Sequence, residues 1–334
     1  MVRLSDILRK AEESKSQGKE NIVTEAVKLK KEMESLPGTK KIYEDVIVRI
    51  KTVQSDIRAG NVVDGKEIFA AARKIVGGLR TNYDMLLSLL NIFTSFEETE
   101  DFHHRHSVNS AILAASLGFA LEYKNSMIVD LCVCALVHDI GMLKIPQEII
   151  NKTSKLSKED EKLIETHPGY GLELLENVKD LPDEAGDVIY QHHERVDGKG
   201  YPEGKTGEQI SEFSKVVAIT EVYEALTHPR PYRKEKVTPY EGVKMIVEQA
   251  GTFFESRLVK VFLTFITPYP LGSFVLINNN EIGRVVKINK GLPLRPLVEI
   301  YYDSEGKPPD KPKNIDLAKS PVLYIEKALA ESYL

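Results

Sequence analysis

Residues 131–141 read LCVCALVHDIG. A run this apolar reads as a core helix, and it closes on His138 and Asp139. An aspartate ending such a helix is costly to bury unpaired. A metal ion would neutralise it and use both carboxylate oxygens, which makes His138-Asp139 the strongest single signal in the chain. Cys132 and Cys134 are the only cysteines. Two residues apart on a helix, they point about 200° apart, so they read as core packing and not as a metal pair. So few cysteines exclude a disulfide scaffold and fit a reducing cytoplasm.

Working outward, all eight histidines lie between His103 and His228. Four pieces stand out: His106 at a helix start, His138-Asp139, His167-Pro168, and His192-His193-Glu194-Arg195 followed by DGKGYP. Singly, each has a plain reading. A lone His106 is a surface or cap residue, a histidine before proline marks a helix boundary, and neighbouring histidines on a helix diverge by about 100°. Together, four or five imidazoles and a carboxylate at helix ends are what a two-metal centre needs. Such pairs sit ~3.5–4 Å apart and clamp a phosphoryl group during in-line displacement.

The rest of the chain is mostly helical in pattern. Residues 1–35 are charged and helix-forming. After the break at Leu36-Pro37-Gly38, Tyr43, Val46, Ile47, Ile50, Val53 and Ile57 form a stripe spaced by three and four. That stripe packs either on the main domain or on a second copy. Helical patterns continue to about residue 267. Beyond Pro268, the runs SFVLI, GRVVKI and LVEIYY read as short strands. The expected class is mainly α, with an N-terminal helical region (1–60), a histidine-bearing domain (61–267) and a small β-rich module (268–334).

Of 334 residues, 42% are apolar and 28% charged, enough to build a packed core and exclude general disorder. The net charge of −5 argues against DNA or RNA as a partner, though a local basic pocket for phosphate stays open. No apolar run approaches the ~18 residues that span a bilayer, so no membrane association is expected. The opening MVRLSDILRKAEE lacks a signal-peptide core.

The ordered set His106, His138-Asp139, His167-Pro168, His192-His193-Glu194-Arg195, Asp197-Gly198-Lys199-Gly200-Tyr201-Pro202 and Arg230-Pro231-Tyr232-Arg233 resembles the HD-GYP family. This is a branch of the HD phosphohydrolase superfamily that hydrolyses cyclic di-GMP in bacteria. The likeness covers about residues 61–267 and implies an HD-type helical bundle. It implies two divalent ions, iron or manganese. One would be held by His106, His138, Asp139 and Glu221, the other by His167, His192 and His193, with Asp139 bridging. Asp139 and His138 would be catalytic, acting with a bridging hydroxide. Lys144, Arg195, Lys199, Gly200, Tyr201, Pro202, Arg230 and Arg233 would bind the cyclic dinucleotide. The product would be linear pGpG, with GMP as end product left open.

Three departures qualify this pattern. The family's late aspartates are Glu221 and Glu224 here, and Met142 stands where the family has lysine, with Lys144 two places on. The position that carries a third-metal glutamate in some members is Phe102, so two ions are expected. His103 and His104 read as surface positions on a turn. These departures keep a second reading open, in which the chain binds cyclic di-GMP and signals without turnover. A homodimer through the N-terminal helices is a further expectation.

Overall fold

The computed structural model describes residues 37–92, 102–228, 230, 237–289, 291–309 and 311–329. The chain divides into two compact units. One holds residues 38–237 and 242–262, the other 238–241 and the chain from 263 onward.

The first unit is helical. Its opening helix, Pro37–Arg58, buries Tyr43, Val46, Ile50, Val53 and Ile57 within the unit. The apolar stripe is therefore covered by the chain itself. Ion pairs Lys74–Asp45 (2.8 Å) and Arg49–Glu67 tie this helix to Lys66–Ile92. The helical reading of residues 1–35 lies outside the described residues.

Helices Phe102–Ala120 and Asn125–Val137 form the centre of the unit. Every residue from His106 to Gly118 is buried, as is every residue from Leu131 to Val137. A helix apolar on all sides is one that is surrounded. Cys132 and Cys134 are accordingly both fully buried although they point apart. One expectation is corrected here. The stretch Asn125–Lys144, with mean hydropathy 1.8, is long and apolar enough to cross a membrane. Its polar interruptions hide this from a reading of uninterrupted runs, and 61% of it is buried inside the unit.

Two glycines let the remaining elements close on the end of this helix. After Val137 the chain passes through His138 and Asp139 into a 3-10 turn, Ile140–Lys144. A Cβ on Gly141 would stand 1.8 Å from the His167 carbonyl oxygen, and one on Gly171 would stand 2.4 Å from Ile189 Cγ2. The turn thus lies directly on helix His167–Leu175, and that helix lies on Ala185–Gln191, whose end delivers His192 and His193. Ser157 starts helix Lys158–Ile164 with a capping box to Asp160.

The second unit carries a five-stranded antiparallel sheet. Its strand order is Lys313–Asp316, Leu297–Tyr302, Ile282–Lys287, Phe274–Ile277, Ile325–Leu329. The three central strands are those read from the sequence. The two edge strands, KNID and IEKAL, escape that reading because edge strands tolerate charge and break alternation.

Gly141→Ala should destabilise the protein by about 1–3 kcal/mol, since the added methyl meets backbone. Gly77→Ala, on an open helix face with nothing near its Cβ position, should stabilise by up to ~1 kcal/mol. Urea unfolding midpoints distinguish the two.

Candidate metal centre

Asp139 stands at the middle of the site. Its Oδ1 faces His167 Nε2 (3.3 Å) and His192 Nε2 (3.6 Å). Its Oδ2 faces His106 Nε2 (3.5 Å) and His138 Nε2 (3.7 Å). The Nε2 atoms of His167 and His192 are 3.2 Å apart.

The other nitrogen of each ring is already committed. His138 Nδ1 donates to Ala135 O (2.8 Å), His167 Nδ1 to Ile164 O (2.8 Å) and His192 Nδ1 to Val188 O (3.0 Å). Each acceptor is a carbonyl in the last turn of the helix that precedes the histidine. Carbonyls of a last helical turn have a free lone pair to accept with, and that of Val188 also accepts the His192 backbone N–H (3.1 Å). His106 is the exception. It is the fifth residue of its helix, and its Nδ1 donates to Glu224 Oε2 (2.5 Å). Carbonyl and carboxylate oxygens only accept, so all four Nδ1 atoms carry hydrogen.

Four Nε2 lone pairs are thus aimed at one carboxylate and at each other. His138 Nε2 is buried with no hydrogen-bond partner. Among the described residues two donor groups form, His106–His138–Asp139 and Asp139–His167–His192–His193, each within 4.8 Å. Bare imidazole and carboxylate donors, each ring oriented by an acceptor behind it, fit divalent metal binding.

The charge state of the metal-free centre follows. Burial pushes His138 down to about 3 and His167 down to about 4. Burial alone would raise Asp139, but His138, His192 and His167 hold it well below the usual carboxylate range. Burial would likewise lower His192, but Asp139 lifts it above the ordinary imidazole value.

The other expected site residues divide. His193 stacks on Tyr201, with ring centroids 4.7 Å apart, and its Nδ1 is 3.3 Å from Glu221 Oε1. Glu221 is buried, which raises its carboxyl, and it stands outside both donor groups. Arg195 forms a two-pronged pair with Asp197 and lies 3.4 Å over the Phe253 ring. With Lys199, Gly200, Tyr201 and Phe253 it lines a cavity of about 240 Å³ beside His192 and His193. Pro202 is exposed beside it. Gly200 serves the chain's own packing, since a Cβ there would meet Arg195 N at 2.4 Å. Lys144 is exposed and engages Glu173 and the Tyr170 ring. Arg230 is buried against Glu224 (3.0 Å). Arg233 lies outside the described residues.

Some residues were not foreseen in their roles. Glu224, read only as a departure, anchors His106. Burial opposes its charge, but His228, His106 and Arg230 hold it well below the usual value. Glu194 accepts three backbone N–H groups, from Glu203, Gly204 and Lys205, and so pins the loop carrying Tyr201. The placement of His103 on a surface turn is corrected. The helix begins at Phe102, and burial pushes His103 down to about 3.

The HD domain family model matches residues 87–258, and a KOW domain associated with HD domain matches 274–334. Cyclic di-GMP phosphodiesterase PA4108 of Pseudomonas aeruginosa is 30% identical over 265 residues, covering 79% of this chain and 63% of that protein. The 3′3′-cGAMP-specific phosphodiesterase 1 of Vibrio cholerae is 38% identical over 135 residues, 40% of this chain and 30% of that protein. The chain therefore spans less than two thirds of either relative. The solved structure of Bd1817, a HDG"Y"P protein from Bdellovibrio bacteriovorus, shares the fold with a TM-score of 0.55 at 19% identity, covering 72% of this chain and 76% of that one.

Unfolded imidazoles titrate near 6.5, whereas native His138 and His167 stay neutral down to about 3 and 4. Between those values the unfolded chain binds more protons, so stability rises with pH. Chelator-treated protein should lose on the order of 2 kcal/mol per depressed histidine from pH 7 to pH 5, offset in part by His192, whose raised value acts in reverse. Urea midpoints across that range report it, and a flat profile contradicts it.

Proposed function

Because the chain belongs to the HD domain family, we propose that it is a phosphodiesterase that opens cyclic di-GMP to linear pGpG at this His/Asp centre. The observation that carries the reading is Asp139 with two imidazole Nε2 atoms facing each carboxylate oxygen. Two relatives that it matches are named as phosphodiesterases of cyclic dinucleotides. Iron or manganese, either of which suits imidazole and carboxylate donors, would supply an acidified water and neutralise phosphoryl charge when bound.

The chain's own residues do the rest. Asp139 joins the two halves of the centre through one carboxylate. His106 and His138 complete one half; His167, His192 and His193 complete the other. Lys199 places positive charge at the cavity rim, where a substrate phosphate needs it, while Arg195 is paired with Asp197 and covers one face of Phe253. The face of Tyr201 turned away from His193 offers a surface on which a nucleobase stacks. Glu221, beside His193, is the acidic group available to extend the donor set. Residues 1–60 we take as an input or assembly element and 268–334 as an accessory module. The free, buried Cys132 and Cys134 fit a reducing compartment, and we place the protein in the cytoplasm.

Anaerobically purified protein with Mn²⁺ or Fe²⁺ should convert cyclic di-GMP to pGpG, with a higher kcat/KM than for 3′3′-cGAMP. Tight binding with no linear product over hours would instead make it a receptor. Asp139→Ala should abolish both metal pairing and hydrolysis. Glu221→Ala should lower metal content; unchanged occupancy would mark Glu221 as a bystander.

A further inference from the structure

His106 differs from the other three rings in having no helix-end carbonyl behind it. Its anchor, Glu224, is in turn held from a distant element. Tyr43, on the first helix, donates through its hydroxyl to Asn109 Oδ1 (2.8 Å). Asn109 Nδ2 donates to Glu224 Oε1 (3.0 Å). Glu224 Oε2 accepts from His106 Nδ1 (2.5 Å), and His106 Nε2 faces Asp139 Oδ2 (3.5 Å).

The chain of bonds has one direction. A carboxylate only accepts, so Asn109 must turn its NH2 group toward Glu224 and its oxygen toward Tyr43. Tyr43 must then donate. Tyr43, Asn109 and Glu224 are each 2% exposed and His106 is 3% exposed, so water does not readily replace a lost link. Arg230 Nη2 approaches His106 Nδ1 to 2.9 Å, but its proton goes to Glu224 Oε2 at 3.0 Å. A nitrogen 2.5 Å from a carboxylate oxygen already carries hydrogen of its own.

We propose that Tyr43 and Asn109 are positioning residues for His106, so that the seat of the Pro37–Arg58 helix sets metal affinity in one half of the centre. Removing the Tyr43 hydroxyl leaves Asn109 Oδ1 buried and unpaired. The amide is then free to rotate its oxygen toward Glu224, where it repels. Glu224 loses a donor, and His106 loses the fixed acceptor that aims its Nε2. Because the first helix is where the chain enters this unit, displacement of that helix would act on the centre by the same route. The inference rests on the two-metal reading above.

The test is Mn²⁺ titration of the full chain after removal of metal by a chelator. Tyr43→Phe keeps the ring and its packing. It should weaken one of two Mn²⁺ sites about threefold, less than the ~10-fold or more that loss of the hydrogen bond to the ligand itself costs, and leave the other unchanged. Asn109→Ala, which breaks the next link, should weaken the same site at least as much. In a Glu224→Gln background, Tyr43→Phe should add no further loss. Ile50→Val, a buried change on the same helix, should lower the unfolding midpoint without moving Mn²⁺ affinity. The Co²⁺-substituted absorption spectrum should shift in Tyr43→Phe and not in Ile50→Val. Superimposable wild-type and Tyr43→Phe isotherms overturn the proposal. So does an Ile50→Val loss as large as that of Tyr43→Phe. A wild-type chain that takes up no Mn²⁺ overturns the two-metal reading, and this inference with it.

Discussion

One carboxylate, ringed by four imidazole nitrogens that point their lone pairs at it, sets the requirements for the helical unit. Asp139 is held in its charged form, and the rings around it are mostly held neutral. That combination is under-charged by design, because burying a carboxylate without a compensating cation is expensive. Asp139 in turn lifts His192 above the ordinary imidazole value, against the effect of burial. The fold tolerates this because cations complete the centre, which links metal binding to stability.

The rings are aimed by helix ends. His138, His167 and His192 each follow a helix and donate back to a carbonyl of its final turn. Those carbonyls have a lone pair free to accept with, and the negative end of the helix dipole favours positive charge nearby. Three helix C-termini are therefore turned toward the same point, each with its own histidine as both cap and prospective ligand. The close approach needed for this explains Gly141 and Gly171, where any side chain would collide with the neighbouring element.

This pattern also explains what the sequence made legible. His138, His167 and His192 each carry a local signature, a histidine at the close of a helical pattern, and their order along the chain supplied the rest. The central strands were legible because apolar alternation is local too. What escaped was long-range. Glu224 lies 118 positions from the ring it holds, and nothing in its neighbourhood announces that partner. Lys144 and Arg230 were read as substrate contacts from the family resemblance and their charge. Glu173 and Glu224, which engage them, become neighbours only in the folded chain. The apolar stretch 125–144 was under-read because attention to uninterrupted runs discounts Asp130 and the residues after Val137.

Glu224 shows how charge is apportioned once the fold is formed. It is a second buried carboxylate close to the centre, and alone it would compete with Asp139 for whatever positive charge arrives. Arg230 removes that competition, since its guanidinium lies 3.0 Å from Glu224 Oε2 and both groups are buried. Glu224 and Arg230 together are neutral, so the anchor of His106 can accept its hydrogen bond without adding net charge. Burial raises the Glu221 carboxyl, against the neighbouring His106, His192 and Arg230. Asp139 presents both of its oxygens to imidazole nitrogens.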